Sequence, residues 1–477
     1  MLDYRFASIN EIHNAYRDRK LTVRELVVSF LDAIARLDQG EDGLHAVMEV
    51  NPDALFIAKA MDQQLDSMLQ SGTPLPPLFG IPILLKDNIN TGDRLHTTAG
   101  TLALNDLYAP YDATITAKLR EAGALILGKA NMTELANYIS NNMVNGFSAR
   151  GGQGRNPYGK DLDTGGSSSG SGIAVAAGLC TVAVGTETCG SILSPASNNG
   201  VVGIKPTLGR LSRKGIIPIC STHDTAGPIA RSVEDAAILM MAMEGSDPAD
   251  AATLSWPEEV AEINLNDLPN LTGVRIGINS AIPVTSEAYP RLEDAAAFAR
   301  LCSLLEQAGA TLVPNTDLKT DRAIYTIMIH EYKACMNDYL ASVREATDIH
   351  TMADIIAFNE AHAETAIPLG QHILLRAQNE TSGRLIEPAY LEALAEREET
   401  IAELDRVFDE NNIDIMLTET FSTLAPFCGF PSMTVPMGQR GNRSPIPSYW
   451  MARRFDEAVL VKVGRAVEKL LNLNLRP

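Results

Sequence analysis

The chain is short of the features that mark most specialised folds. Six cysteines in 477 residues, at positions 180, 189, 220, 302, 335 and 428, are too few and too scattered to staple a fold. None pairs as C-x-x-C, which removes the usual thiol metal and redox motifs. The eight histidines form no ligand cluster, so no metal site is expected. No stretch approaches ~18 uninterrupted apolar residues, so no membrane span is expected. The opening Met-Leu-Asp-Tyr-Arg-Phe lacks a basic region followed by an apolar run, which leaves no visible signal peptide. A cytoplasmic, reducing setting is the resulting expectation. Positive charge is also scarce: 39 Lys and Arg against 59 Asp and Glu give a net charge of −20. No basic patch interrupts it, and nucleic acid or anionic lipid is therefore not an expected partner.

What is present is enough apolar residue, 45% of the chain, to exclude long-range disorder and bury a large core. The length allows about three domains or one large α/β domain. Ser8-Ile-Asn-Glu11 and Thr22-Val-Arg-Glu25 read as capping boxes that open helices. Ile81–Asp87 reads as a short buried strand with Lys86 near its end, 114–122 as a helix stopping at Gly123, Ala124–Leu127 as a strand, and Met132–Tyr138 as a helix. Residues 145–172 turn to Gly, Ser, Asn and Arg. The apolar helix Ile173–Leu179 and the strand Thr181–Gly185 follow at once, and a flexible linker rarely opens into buried elements. Residues 247–272 read as an acidic surface excursion. Val274–Ile278 reads as a strand, 290–309 as a helix and 321–410 as mostly helical; Asp414–Leu417 and Ser432–Val435 are late strands, and 452–472 is a terminal amphipathic helix. The alternation predicts a mixed sheet covered by helices on both faces.

Several motifs fail on inspection. Gly154-Arg-Asn-Pro-Tyr-Gly-Lys160 has the spacing of a phosphate loop, but Asp161 stands where Ser or Thr is needed and no strand leads in. Gly170-Ser-Gly172 lacks the third glycine and the strand of a dinucleotide fingerprint. His330-Glu331 begins like a zinc helix, yet Ala334 occupies the second histidine position. Gly166-Ser-Ser-Ser-Gly170 matches the nucleophile-elbow pattern around Ser168, again without a strand before it.

A serine–lysine set remains. Lys86 alone would read as a snorkelling side chain, Ser167 as turn chemistry and Ser191 as a helix cap. Their surroundings change this. Phe79-Gly-Ile-Pro before Lys86, Gly165-Gly-Ser-Ser-Ser-Gly, and Gly185-Thr-Glu-Thr-Cys-Gly-Ser191 together resemble the amidase signature family. The interval of 24 residues from Ser167 to Ser191 and the words 200–206, 209–215, 224–228 and 429–438 extend the likeness over nearly the whole chain. Ser148-Ala-Arg-Gly-Gly-Gln153 and Gly185-Thr-Glu-Thr188 are most similar to bacterial peptide amidases.

That resemblance implies one domain over 1–477, with a motif-bearing core at about 79–240 and a helical, substrate-shaping part at about 285–410. It also implies a Ser–cis-Ser–Lys relay: Lys86 as base, Ser167 as bridge and Ser191 as nucleophile. The backbone N–H groups of Thr188, Cys189, Gly190 and Ser191 would form the oxyanion hole. An ordinary lysine is neutral in only about one molecule in 2,500 at pH 7, and burial at the end of an apolar strand would raise that fraction. The expected activity is hydrolysis of a carboxylic amide, a C-terminal peptide amide or an aryl or alkyl amide, with no cofactor and no metal. The expected partner is the small-molecule or peptide amide itself, and a homodimer stays open. The alternatives are the glutaminase-type subunit of a tRNA-dependent amidotransferase and a catalytically silent binding protein on the same scaffold. Two departures stand out: Cys189 replaces the family's Gly or Asp, and Leu193 replaces an arginine.

Overall fold

The architecture was obtained as a computed structural model, which describes residues 3–266, 270–279, 292–314, 323–473 and 475–477. Both capping boxes form. Ser8 and Glu11 close the start of the helix Ile9–Arg17, and Thr22 and Glu25 that of Val23–Ala33, each pair satisfying two otherwise orphaned N–H groups.

The strands are β1 (Val47–Val50), β2 (Pro82–Lys86), β3 (Leu125–Ala130), β4 (Phe147–Ser148), β5 (Gly152–Gln153), β6 (Val182–Glu187), β7 (Val202–Lys205), β8 (Thr225–Ala230), β9 (Arg275–Asn279), β10 (Thr311–Val313), β11 (Ile415–Thr418), β12 (Ser432–Gln439) and β13 (Pro445–Ala452). β4 and β5 form a separate small hairpin. The other eleven make one sheet in the order β1-β3-β2-β6-β8-β7-β12-β13-β11-β9-β10. β2 runs parallel to β3 and β6, and β9 runs parallel to β10 and β11. The middle of the sheet is antiparallel. β2, β3 and β6 are buried at every position, as strands covered on both faces must be. The fold is thus a single domain built on a large mixed sheet.

Two apolar clusters hold it. The larger lies between the sheet and its covering helices. The second gathers the helices Ile324–Ser342, Met352–Ala361, His372–Glu380 and Pro388–Glu410 over one end of the sheet. Fully buried side chains such as Phe30, Phe408, Phe427 and Phe430 contribute about 1.5–3 kcal/mol each by leaving water.

Some elements differ from expectation. The helix expected over Met132–Tyr138 is one short turn, Glu134–Asn137, with left-handed φ values of 45°, 57° and 66° at Leu135, Ala136 and Asn137. Its backbone is committed elsewhere: Thr133 N–H donates to Ser167 O (3.0 Å) and Leu135 N–H to Ala99 O (2.9 Å). β13 was not foreseen, because Pro445 and Pro447 argue against a central strand. The structure accommodates them at the start of the strand, where Pro447 stands opposite Pro436 on β12 and β11 pairs only with the later Tyr449–Ala452. The terminal helix consequently starts at Glu457 rather than at 452, with Asp456 as its cap. β1 and the helix Ala54–Ser71 were also not foreseen. Of the helical region expected at 285–410, residues 285–291 and 315–322 lie outside the described residues.

Candidate active site

β2 delivers Lys86 to the centre of the molecule. The strand pairs on both sides, with β3 and with β6, so its last side chain has no route to solvent and is fully buried. Lys86 Nζ donates to Ser167 Oγ at 2.8 Å and to Thr186 O and Oγ1 at 3.1 and 2.9 Å. Burial pushes the ammonium down to about 7, against the carboxylates of Asp224 and Glu187, which favour the charged form.

Ser167 lies in the glycine-rich run. The Gly166–Ser167 peptide is cis, as the resemblance implies. The run has little room for larger residues: a Cβ on Gly165 would stand 2.6 Å from the Ser194 backbone, and one on Gly166 2.6 Å from Thr133 Oγ1. The helix Ser169–Ala176 begins inside the run, earlier than expected, and is buried throughout. Ser168, the elbow match, is structural. Its hydroxyl donates to Thr186 O (3.0 Å) and accepts from Thr186 N–H (3.2 Å).

Ser191 sits in the turn after β6, where Gly190 takes φ 84°. It is not a helix cap. The helix Leu193–Asn198 has no side-chain cap from its preceding residue. Glu187 instead accepts the N–H groups of Ile192 (2.7 Å) and Leu193 (3.1 Å). This carboxylate ties the end of β6 to the segment beyond Ser191. Ser168 N–H donates to Ser191 O at 3.2 Å, joining the two serine loops through backbone. Among the described residues, none accepts a hydrogen bond from the backbone N–H of Thr188, Cys189, Gly190 or Ser191. Lys86 and Ser167 are therefore hydrogen-bonded, whereas Ser191 is adjacent and linked through the backbone of the next residue.

Sequence reading missed three supports: Thr186, Glu187 and Asp224. Asp224 accepts from Thr188 Oγ1 and from the N–H groups of Ile219 (2.7 Å) and Cys220 (3.0 Å). Desolvation pushes its carboxyl up to about 6. The available signal was a carboxylate set against an apolar strand in each of two signature words. Cys189 bonds Tyr325 of the overlying helix, and burial, aided by the charge of Glu187, pushes its thiol up to about 12. A thiolate there is unavailable at neutral pH. A cavity of about 370 Å³, walled in part by Asn88, Thr188, Cys220, Asp224 and Tyr339, opens against this turn.

The rejected motifs have structural duties. Lys160 pairs with Asp42 at 2.6 Å, His330 Nδ1 bonds Thr326 O at 2.7 Å, and Glu331 accepts from Ser221 (3.0 Å) and Tyr390 (2.8 Å). Among the described residues, no group of three or more His, Cys, Asp or Glu side chains could hold a metal ion. None of their helices is long and apolar enough to cross a membrane.

Comparison with known proteins agrees with this geometry. The amidase family profile matches residues 25–436. A probable amidase of Arabidopsis thaliana is 36% identical over 97% of this chain and 90% of its own. A glutamyl-tRNA(Gln) amidotransferase subunit of Koribacter versatilis is 31% identical over 98% of this chain and 99% of its own. Among solved structures, the native peptide amidase of Stenotrophomonas maltophilia superimposes with a TM-score of 0.91 at 36% identity, covering 100% of this chain and 99% of that one. An amidase family protein of Bacillus anthracis gives 0.90 at 34%, covering 99% and 92%. On sequence and fold together, the chain belongs to the amidase signature family and is a hydrolase of carboxylic amide C–N bonds.

Proposed function

We propose that the chain hydrolyses C-terminal peptide amides or closely related primary amides through an acyl-enzyme on Ser191. The observation that carries the reading is the 2.8 Å bond from the fully buried Lys86 to Ser167, beside a turn whose backbone donors are unengaged among the described residues. With its pKa near 7, about half of Lys86 is neutral at pH 7, against about one in 2,500 for an ordinary lysine. Neutral Lys86 takes the proton of Ser167, and Ser167 takes that of Ser191 as its oxygen attacks the amide carbon. A hydroxyl suits the bridge because it donates and accepts at once. The N–H groups of Thr188, Cys189, Gly190 and Ser191 receive the developing oxyanion. The proton returns to the leaving nitrogen, ammonia departs, and water then cleaves the ester by the same relay. The similarity to a peptide amidase over the full chain supports the substrate class.

Ser191→Ala should reduce kcat/KM for a peptide amide by at least about 10⁴-fold, and should abolish labelling by a fluorophosphonate. A variant within about threefold of the parent would end the proposal. Retained labelling would move the nucleophile elsewhere. The amidotransferase reading has support in the Koribacter relative. Glutamine hydrolysis that rises on adding tRNA-dependent partner subunits, with no action on peptide amides, would favour it.

A further inference from the structure

A second cavity gathers arginines in a molecule that is otherwise rich in acid. The chain is 20 charges negative, yet a pocket of about 510 Å³ between the turn at Gly429 and the segment 453–455 is lined by Arg397, Arg453 and Arg454, with Asp405 the sole lining carboxylate among the described residues. The three guanidinium groups are held differently. Arg397 is mostly covered, its side chain 12% exposed, and its Nε donates to Phe427 O at 2.8 Å. Its Nη1 meets Glu398, a side chain 71% exposed, at 2.9 Å. Arg453 lies over the Phe408 ring at 4.9 Å and meets the exposed Asp409 at 2.7 Å. Arg454 lies over the Phe430 ring at 5.5 Å and meets Asp405 at 3.2 Å.

Buried aromatic faces thus hold Arg453 and Arg454 in place, while their carboxylates are solvent-facing. Exposed pairs of this kind are weak in water, so a ligand that engages the guanidinium groups need displace little. Gly429 keeps the space open. A Cβ there would lie 3.0 Å from Leu208 Cβ and 3.4 Å from Arg397 Nη2, and its φ of 72° disfavours any side chain. The remaining wall includes the apolar Leu208, Pro257 and Phe455, together with Thr207, Ser255 and Cys428.

We propose that this pocket binds a small phosphate monoester, with its dianion between the three arginines and its organic part against Phe455 and Pro257. Forked guanidinium groups match the oxygens of phosphate, and three of them can share a dianion that takes the place of the solvent-facing Glu398, Asp409 and Asp405 carboxylates. The volume exceeds that of the bare ion and leaves room for a ring. Binding there does not depend on the reaction at Ser191.

The test is calorimetric titration of the full chain with phenyl phosphate at fixed ionic strength, repeated with inorganic phosphate and with benzoate. Saturable one-to-one binding is expected for phenyl phosphate, with inorganic phosphate weaker and competitive. Arg453→Gln and Arg454→Gln, both at partly exposed positions, should together weaken it at least about tenfold. Circular dichroism of that double variant checks that it is folded. Arg397→Lys, which keeps the charge and loses the fork, should also weaken binding. No saturable binding, or binding untouched in the folded double variant, overturns the site. Benzoate binding tighter than phenyl phosphate overturns the phosphate assignment.

Discussion

Two lysines on neighbouring parallel strands show what burial does and does not confer. Lys86 ends β2 and Lys129 lies near the end of β3, paired with Leu85. Both are fully buried, and desolvation lowers both, to about 7 and about 8. Their partners differ. Lys129 donates to Ile89 O at 2.7 Å and Thr97 Oγ1 at 2.9 Å, with the buried Asp87 favouring its charged form. In the proposed relay Lys86 meets the hydroxyl of Ser167, which passes a proton from Ser191, whereas the Thr97 hydroxyl beside Lys129 donates to Ile89 O, a group with no proton to give. A depressed pKa alone therefore does not single out a base. The neighbour that can pass on a proton does.

The comparison breaks most visibly on activity. Lys86→Met should lower kcat/KM by about 10³–10⁴-fold while the protein stays folded, whereas Lys129→Met should keep activity per folded molecule within about threefold. Equal losses in the two variants would mean that the lysines are not distinct.

On stability the order reverses. Lys129→Met takes the ammonium donor from Ile89 O and Thr97 Oγ1 and leaves Asp87 with less compensating charge, at a cost of about 2–4 kcal/mol in denaturant unfolding. Lys86→Met behaves otherwise, and the sign follows from the pKa. The lysine is at about 7 when folded and about 10.4 when unfolded. Between those values the unfolded chain binds the extra proton, so wild-type stability falls as pH drops from about 10 to about 7 and levels off below. The Met variant lacks this loss. Its stability relative to wild type should rise across that window, and a flat difference would contradict a depressed Lys86.

The pH–rate profile gives the next smaller effect. The proposed relay needs neutral Lys86, so kcat/KM should fall about tenfold between a plateau above pH 8 and pH 6. Asp224 pulls Lys86 towards its charged form. Asp224→Asn should therefore move this limb to lower pH, and Lys129→Met should leave it in place. A limb that ignores Asp224 would assign it to another group.

The contrast between the lysines also explains what was legible beforehand. Lys86, Ser167 and Ser191 stand inside the short words that carry the family resemblance, so they could be proposed from sequence. The supports could not. Glu187 acts on Ile192 and Leu193 across a turn, and Asp224 reaches Thr188 from 36 residues away. The first shows only once the turn after β6 has its shape, and the second only once β6 and β8 pair. The failures of secondary structure have the same origin. Leu135–Asn137 contain ordinary helix formers, but tertiary partners at Ala99 and Ser167 take their neighbours' backbone donors. β13 is a strand because β11 and β12 flank it, despite two prolines. Local preference decided the outer helices, and long-range pairing decided the ground around the site.

Cys189 is the last way to sharpen the picture, because it stands beside the proposed nucleophile and departs from the family pattern. A thiol with a pKa near 7 would compete with Ser191 for the substrate. Here burial and the charge of Glu187 push it up to about 12, so the thiolate is negligible at neutral pH. The part of Cys189 with a role in the proposal is its backbone N–H, which any non-proline residue supplies. Cys189→Ala should hold kcat within about threefold and leave fluorophosphonate labelling of Ser191 intact. Its side chain contacts Tyr325, so the variant should shift KM more than kcat. A loss of kcat near that of Ser191→Ala would transfer the chemistry to sulfur.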